Sequence, residues 1–488
     1  MSLPAPEFDD MQALLRFGLG HLERACFLLL RVTDQEAARA WLATAPVTSA
    51  VRAESPPGQA LQVALSSDGL RALGVASPLI EGFADEYRVG ISADPGRSRR
   101  LGDLAGNDPA CWDWGAGDQV PHVLLLLYAN ADTLPPFLES IRRECAAGFE
   151  EIAALDTSEL DEFEPFGFKD GISQPEIDWD RTRPARDQDR LSYTNLACLG
   201  EFVLGYPNEY GGYTDRPLID PRGVEPGALP PAEDAPDMLD LGRNGSYLVL
   251  RQLQQHVSDF WRYLDAQAGG NPELRDRLAA AMVGRTPKGD PLVSLDDAGD
   301  RNAFTYASDP HGRRCPLGAH IRRANPRNAD LPPGSSCPWS RLERILGFDA
   351  AALDQDHVAS TRFHRLLRRG RKYGPDVPLD RALADGPTDA ESGLHFICLN
   401  ANIGRQFEFV QAAWIAGTKF DGLMSEGDPL LGHRQPGSDH TASDVFSIPQ
   451  ANGADRRLTN LPPFVTVRGG GYFFLPGLRA LRFLARAR

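Results

Sequence analysis

Ala25-Cys26-Phe27-Leu28-Leu29-Leu30-Arg31-Val32 is a continuous apolar run of strand length, and the Thr33-Asp34-Gln35-Glu36 behind it is a helix start leading into 37–45. The chain therefore opens with a strand and then a helix. Working outward, 61–65 and 122–128 read as further strands. Ala131-Asp132-Thr133 caps a helix whose Leu134, Phe137, Leu138 and Ile141 recur at helical spacing, and 149–155 is a fourth strand. Strands and helices in this order predict an antiparallel sheet with helices packed on it, an α+β layering. From 199 to 243 periodicity is lost in Gly- and Pro-rich sequence, which reads as a long connection. The opening order then restarts: a strand at 245–252, helices at 254–268 and 272–283, a strand at 394–399, a helix at 404–415, a strand at 472–475 and a helix at 478–485. The repetition predicts a duplicated architecture, with a first domain over 1–200, a connecting segment over 201–244 and a second domain over 245–488. No period of 20 to 50 residues marks a solenoid.

With 488 residues, 42% hydrophobic and 24% charged, the composition is globular and long enough for two or more buried cores. A net charge of -16 argues against a nucleic-acid partner. Cys26, Cys111, Cys145, Cys198, Cys315, Cys337 and Cys398 form no C-x-x-C pair and total an odd number, so neither a disulfide framework nor a zinc site is expected. The first eleven residues carry acids in place of a basic, apolar leader, and a cytoplasmic protein is expected. No apolar stretch reaches the ~18 residues that span a bilayer, so no membrane partner is expected.

A second stretch carries chemistry: Phe166-Gly167-Phe168-Lys169-Asp170-Gly171-Ile172-Ser173-Gln174-Pro175. Gly167 and Gly171 can take backbone conformations closed to other residues and let a flat ligand approach, while Phe166 and Phe168 supply an apolar surround. Asp170 is either the acid of an ordinary turn or a partly desolvated carboxylate, raised towards use as an acid and base near neutral pH. In Cys315-Pro316-Leu317-Gly318-Ala319-His320-Ile321-Arg322-Arg323-Ala324-Asn325-Pro326-Arg327, Pro316 can open a short helix and Pro326 ends it. His320 has small or apolar neighbours there. It is either a core histidine bonded to a carbonyl or an axial ligand for iron whose other ring nitrogen needs an acceptor. In the basic run from Phe363 to Pro375, Arg365, Arg369, Arg371 and Lys372 read as a solvated face.

Together these segments resemble the dye-decolorizing peroxidases, in their long bacterial and fungal form. Gly167 to Gly171 matches the family's G-x-x-D-G, Cys315 to Arg327 resembles its C-P-x-x-A-H-I-R-x-x-N-P-R, and Leu367 to Gly374 matches L-R-R-G-x-x-Y-G. The resemblance implies two ferredoxin-like domains and a haem b cofactor, with His320 as the proximal iron ligand and Asp170 and Arg368 as the catalytic pair on the peroxide side. It also implies that Arg327 and Arg323 pair with haem propionates, since guanidinium forks match carboxylates. Leu394 and Phe396, on one face of a strand, look like the family's apolar distal wall, plain core packing being the other reading. Phe168 and Gly171 would lie against the cofactor. Arg371-Lys372 depart from the small apolar residues usual before the Tyr. Glu408, an acid between aromatics, is named as acceptor for the His320 proton. The implied reaction takes hydrogen peroxide and a reducing aromatic substrate, a dye or phenol, in one-electron steps, with oxidation at a surface Tyr or Trp. The alternative is a haem-binding or haem-iron-handling protein without turnover. A monomer or homodimer is expected.

Overall fold

The computed structural model describes residues 5–182, 195–295, 299–327, 361–384, 386, 390–434 and 443–486. A single nine-stranded sheet organises them. In chain order its strands are β1 (Arg24–Val32), β2 (Gln59–Leu65), β3 (Val123–Ala129), β4 (Phe149–Asp156), β5 (Ser246–Gln255), β6 (Leu367–Arg368), β7 (Arg371–Tyr373), β8 (Gly393–Asn400) and β9 (Val465–Leu475). Across the sheet they run β6-β8-β5-β9-β2-β3-β1-β4, with β7 also on β8. The first four strands thus lie in the order 4-1-3-2. With β6 and β7 counted as one strand, β5 to β9 repeat that order in mirror sequence. These are two ferredoxin-like halves, joined edge to edge where Phe474 of β9 faces Leu65 of β2.

The helices include α1 (Gln35–Thr44), α2 (Leu134–Cys145), α3 (Val257–Gln267), α4 (Pro272–Val283), α5 (His320–Ala324) and α6 (Leu478–Arg486). Asp34 caps α1 by accepting the Ala37 amide. The helix predicted from 254 starts at Val257 because Gln254 and Gln255 stay in β5, opposite Gly393 and Val465. The predicted helix over 404–415 forms, but wound wide: the Glu408 amide reaches Ile403 O and the Ala416 amide reaches Gln411 O, each five residues back. Within 201–244, Leu218–Ile219 pairs with Leu239–Asp240, and Arg216 Nε holds Asp240 at 2.6 Å.

Both faces of the sheet are covered, which explains why β1 and β3 read as unbroken apolar runs. Cys26, Leu28, Leu125 and Leu127 join one core with Trp41 and Leu42 of α1, while Phe27, Leu29, Leu124 and Leu126 join a second with Leu14, Leu15 and Phe202. Six of the seven cysteines are free thiols, and Cys337 lies outside the described residues. No helix among the described residues is long and apolar enough to cross a membrane.

The basic run is not a solvated face. Arg365, Arg371 and Lys372 are buried. Arg371 donates to Leu19 O and Leu22 O, both at 2.9 Å, Arg369 Nε donates to Leu14 O, and Lys372 pairs with Asp161 at 2.6 Å and Asp376 at 2.7 Å. The N-terminal segment lies over these cations, whose donors satisfy its carbonyls. Arg371→Ala would leave Leu22 O without a partner, at about 1–3 kcal/mol, and Leu19 O with the Leu22 amide alone. Chemical unfolding should therefore show a loss of about 2 kcal/mol; a midpoint like that of the parent protein would contradict this account.

Candidate functional site

A cavity of about 300 Å³ lies on the face of the second half's sheet. Leu253 is opposite Leu394 and Arg251 opposite Phe396, so alternation points all four toward it. The first half closes the cavity with the loop that carries Asp170. Phe166 packs on Phe260 of α3 with ring centroids 4.7 Å apart, its carbonyl accepts from Trp261 Nε1 at 3.2 Å, and Phe168 stacks on Trp261.

Gly167 and Gly171 take φ of 89° and 78°, and nothing lies within 4 Å of where a Cβ would sit. The glycines serve the turn, and the space beside them is open. Asp170 accepts from Arg368 Nη1 at 2.8 Å, Arg368 Nη2 donates to Ser173 O at 3.1 Å, and the Gln174 amide exchanges two hydrogen bonds of 3.1 Å with the Arg368 backbone. This loop holds both members of the pair. The raised Asp170 carboxyl expected from sequence is not what the site makes. Burial pushes it up, but the Arg368 charge and hydrogen bond and the Gly171 amide outweigh burial and hold Asp170 below the usual carboxylate range. It therefore stands ionised.

His320 is the first residue of α5, and its Nδ1 lies 2.9 Å from Asp428 Oδ2. An ionised carboxylate only accepts, so Nδ1 carries the proton and Nε2 is left for the cavity. Asp428 is fully buried, and its Oδ1 accepts the Leu430 and Leu431 amides at 2.8 and 2.9 Å. Burial pushes Asp428 up, yet His320 and the Leu431 amide bring it below the ordinary range; burial pulls His320 down, yet Asp428 brings it above. Glu408 is not the acceptor. The wide helical turns bring Phe407, Val410, Gln411 and Trp414 to the cavity, while Glu408 pairs with Arg97 at 2.7 Å and accepts the Tyr472 hydroxyl at 2.9 Å. Asp428 went unread in the sequence. Its signal is local: Asp428-Pro429-Leu430-Leu431, an acid whose side chain caps the amides two and three residues on.

Arg327 lines the cavity with φ of 60°, its Nη1 donating to Asn302 O at 2.7 Å and Phe304 O at 2.8 Å and its guanidinium 3.7 Å from the centre of the Phe304 ring. Beside it is Arg285, missed in the sequence, which donates to Ser173 Oγ at 3.1 Å. Burial and the Arg327 charge pull Arg285 down to about 10. Arg323 belongs elsewhere. Fully buried and not lining the cavity, it donates to Trp414 O at 2.6 Å, Gly417 O at 2.9 Å and Glu426 O at 2.5 Å. Its helix turns that side away from the cavity and spends its donors on the carbonyls behind Asp428. Phe168, Leu394 and Phe396 line the cavity, whereas Gly171 does not and gives its amide to the Asp170 carboxylate.

Fold and site define a two-domain α+β protein in which His320 and the Asp170–Arg368 pair share a cavity. No family model matches the chain. It is 30% identical over 455 residues to dye-decolorizing peroxidase msp1 of Mycetinis scorodonius, covering 87% of this chain and 76% of that protein. It is likewise 30% identical over 458 residues to the multifunctional dye peroxidase DyP2 of an Amycolatopsis species, covering 87% and 82%. The crystal structure of a fungal DyP-type peroxidase from Auricularia auricula-judae superposes with a TM-score of 0.74 at 25% identity, over 99% of this chain and 100% of that one. The chain belongs to the dye-decolorizing peroxidase family, and it is an enzyme that oxidises with hydrogen peroxide. The family is haem-dependent.

Proposed function

We propose that haem b occupies this cavity with His320 as its iron ligand, that Asp170 and Arg368 act on hydrogen peroxide, and that the electrons come from a phenol or dye. The donor set fits such a group. An imidazole with its outer nitrogen fixed by a buried carboxylate is the arrangement of metal-binding histidines. Two guanidiniums, Arg285 and Arg327, meet at Ser173 Oγ on the same cavity, and like charges held together call for an anion such as a propionate. Phe168, Leu394 and Phe396 supply apolar wall.

When bound, haem supplies the redox chemistry, a metal that takes up peroxide and passes on its oxidising equivalents one at a time. The rest falls to the chain. The ionised Asp170 carboxylate takes a proton from peroxide and returns it to the departing oxygen, while Arg368, which cannot lose its proton, stabilises negative charge as the O–O bond lengthens. The observation that carries this reading is the Asp170–Arg368 contact of 2.8 Å on the cavity that His320 also lines. A haem carrier has no use for that pair. The test is an absorption spectrum of the haem-loaded protein before and after one equivalent of hydrogen peroxide. A Soret band that changes supports the reading, and a band indifferent to peroxide would turn it towards the carrier.

For bulky donors the surface residue we favour is Tyr210. It is 53% exposed and stacks on Phe363 with centroids 3.8 Å apart. The next residue, His364, stacks on Phe409 and meets the edge of Trp414, and both His364 and Trp414 line the cavity. Tyr210→Phe should lower kcat/KM for a bulky dye several-fold while leaving reaction with peroxide unchanged; equal dye turnover would remove Tyr210 from the scheme.

A further inference from the structure

Glu164 opens the loop that ends in Asp170, and its carboxylate is turned inward beneath that loop. Oε2 accepts the Phe166 amide at 3.1 Å and Gln255 Nε2 at 2.8 Å, and Oε1 accepts the Phe168 amide at 3.1 Å. The backbone closes the same ring: the Glu164 amide donates to Phe168 O at 2.9 Å and the Gly167 amide to Glu164 O at 2.8 Å. Without the carboxylate, the two inward amides would lack acceptors, which buried backbone rarely tolerates. Glu164 also lines the cavity that Asp170 lines, yet no step above uses it.

The charges around it are few. From its own loop come Asp170 and Lys169, the latter bound to Glu162 at 2.6 Å. β5 brings Arg251, committed to Asp103 at 2.5 Å; α3 meets the loop with Phe260 and Trp261, and β9 lines the cavity with Val465 and Val467. Three hydrogen-bond donors, none of them a guanidinium, make this a carboxylate that serves the loop.

We propose that Glu164 is a positioning residue for the peroxide reaction: it fixes the turn that sets where the Asp170 carboxylate stands against Arg368. This rests on the role given to Asp170 above. Burial pushes Glu164 up to about 7, its three donors pulling the other way and the Asp170 charge adding to the rise. As an anion it accepts all three donors fully, whereas protonation weakens one oxygen as an acceptor. The hold on the loop therefore tightens as pH rises through about 7, and the rate of reaction with peroxide rises with it.

The experiment is stopped-flow reaction of the haem-loaded protein with hydrogen peroxide across the neutral range, with cyanide affinity as a second readout that involves no turnover. Glu164→Gln should keep its haem, react about tenfold more slowly, lose the rate step near neutrality and bind cyanide more weakly. Gln255→Leu, which leaves the carboxylate but removes its third donor, should shift the same quantities less, and it carries the test should Glu164→Gln fail to fold. Parent-like rates, pH profile and cyanide affinity in these variants, with or without a lower melting temperature, would overturn the proposal. Asp170→Asn separates the two readings: if it reacts slowly beside a parent-like Glu164→Gln, only the Glu164 inference falls, and if it reacts at the parent rate, the reading of Asp170 falls as well.

Discussion

Asp170→Asn should retain haem and slow reaction with hydrogen peroxide by about 10²–10⁴-fold, the usual contribution of a positioned proton acceptor. The substitution preserves shape and keeps an acceptor for Arg368, so what it removes is the negative charge and the place for a proton. The pH dependence has a definite sign. Asp170 lies below its ordinary value of 3.8, and a base works only when unprotonated, so its own protonation should slow the reaction only below that value, in an acid limb separate from the step near neutrality that belongs to Glu164. Arg368→Leu removes the main stabiliser of the anion. Besides its own loss of rate, it should move the acid limb upward, past where an ordinary aspartate titrates. A parent-like rate in Asp170→Asn, or an acid limb that stays put in Arg368→Leu, would be incompatible with the pair acting as described.

His320→Ala should lose the Soret band of histidine-ligated haem, or retain haem at much reduced occupancy, when prepared with haem in excess. Asp428→Asn is the finer probe. It keeps the shape of the side chain that orients the imidazole but removes its charge, and such partners typically contribute about 10–100-fold to metal affinity. The expected order of haem retention is therefore parent, Asp428→Asn, His320→Ala. Full occupancy with an unchanged spectrum in His320→Ala would sink the ligand assignment.

How much of this could be read from the sequence depended on whether the governing interaction was local. The strands of the first half, the helix over Pro272–Val283 and the turn around Asp170 are set by periodicity and glycine placement within a few residues, and they were legible. His320 was legible as a histidine in a short helix between prolines. Its partner was not, because Asp428 is 108 residues away and only the folded chain sets them 2.9 Å apart. Glu408 misled for the same reason. An acid between aromatics says that it is buried, and only packing shows that Arg97 and Tyr472 are what it meets. Arg365, Arg371 and Lys372 failed in the opposite direction. Charge alone implied water, while the N-terminal carbonyls that take up the Arg371 guanidinium come from about 350 residues earlier.

The seam between β9 and β2 has a consequence for solubility. Two separate four-stranded sheets would present four open edges, each a row of unpaired amides and carbonyls ready to recruit a strand from another molecule. Joining the halves brings two of them together at Phe474 and Leu65, and the Gln12 side chain meets β2 at Val63 while Trp114 meets β9 at Gly469. Of those left, one is β4, and the other is formed by β6 and β7, two and three residues long, with Arg368, Arg369, Arg371 and Lys372 along them. Short, cation-rich strands make poor templates for further pairing. The second half expressed by itself would lose Leu65, Asp113 and Trp114 of the first half from β9 and expose that apolar strand as an edge, so it is protected from such pairing only while both copies remain in one sheet.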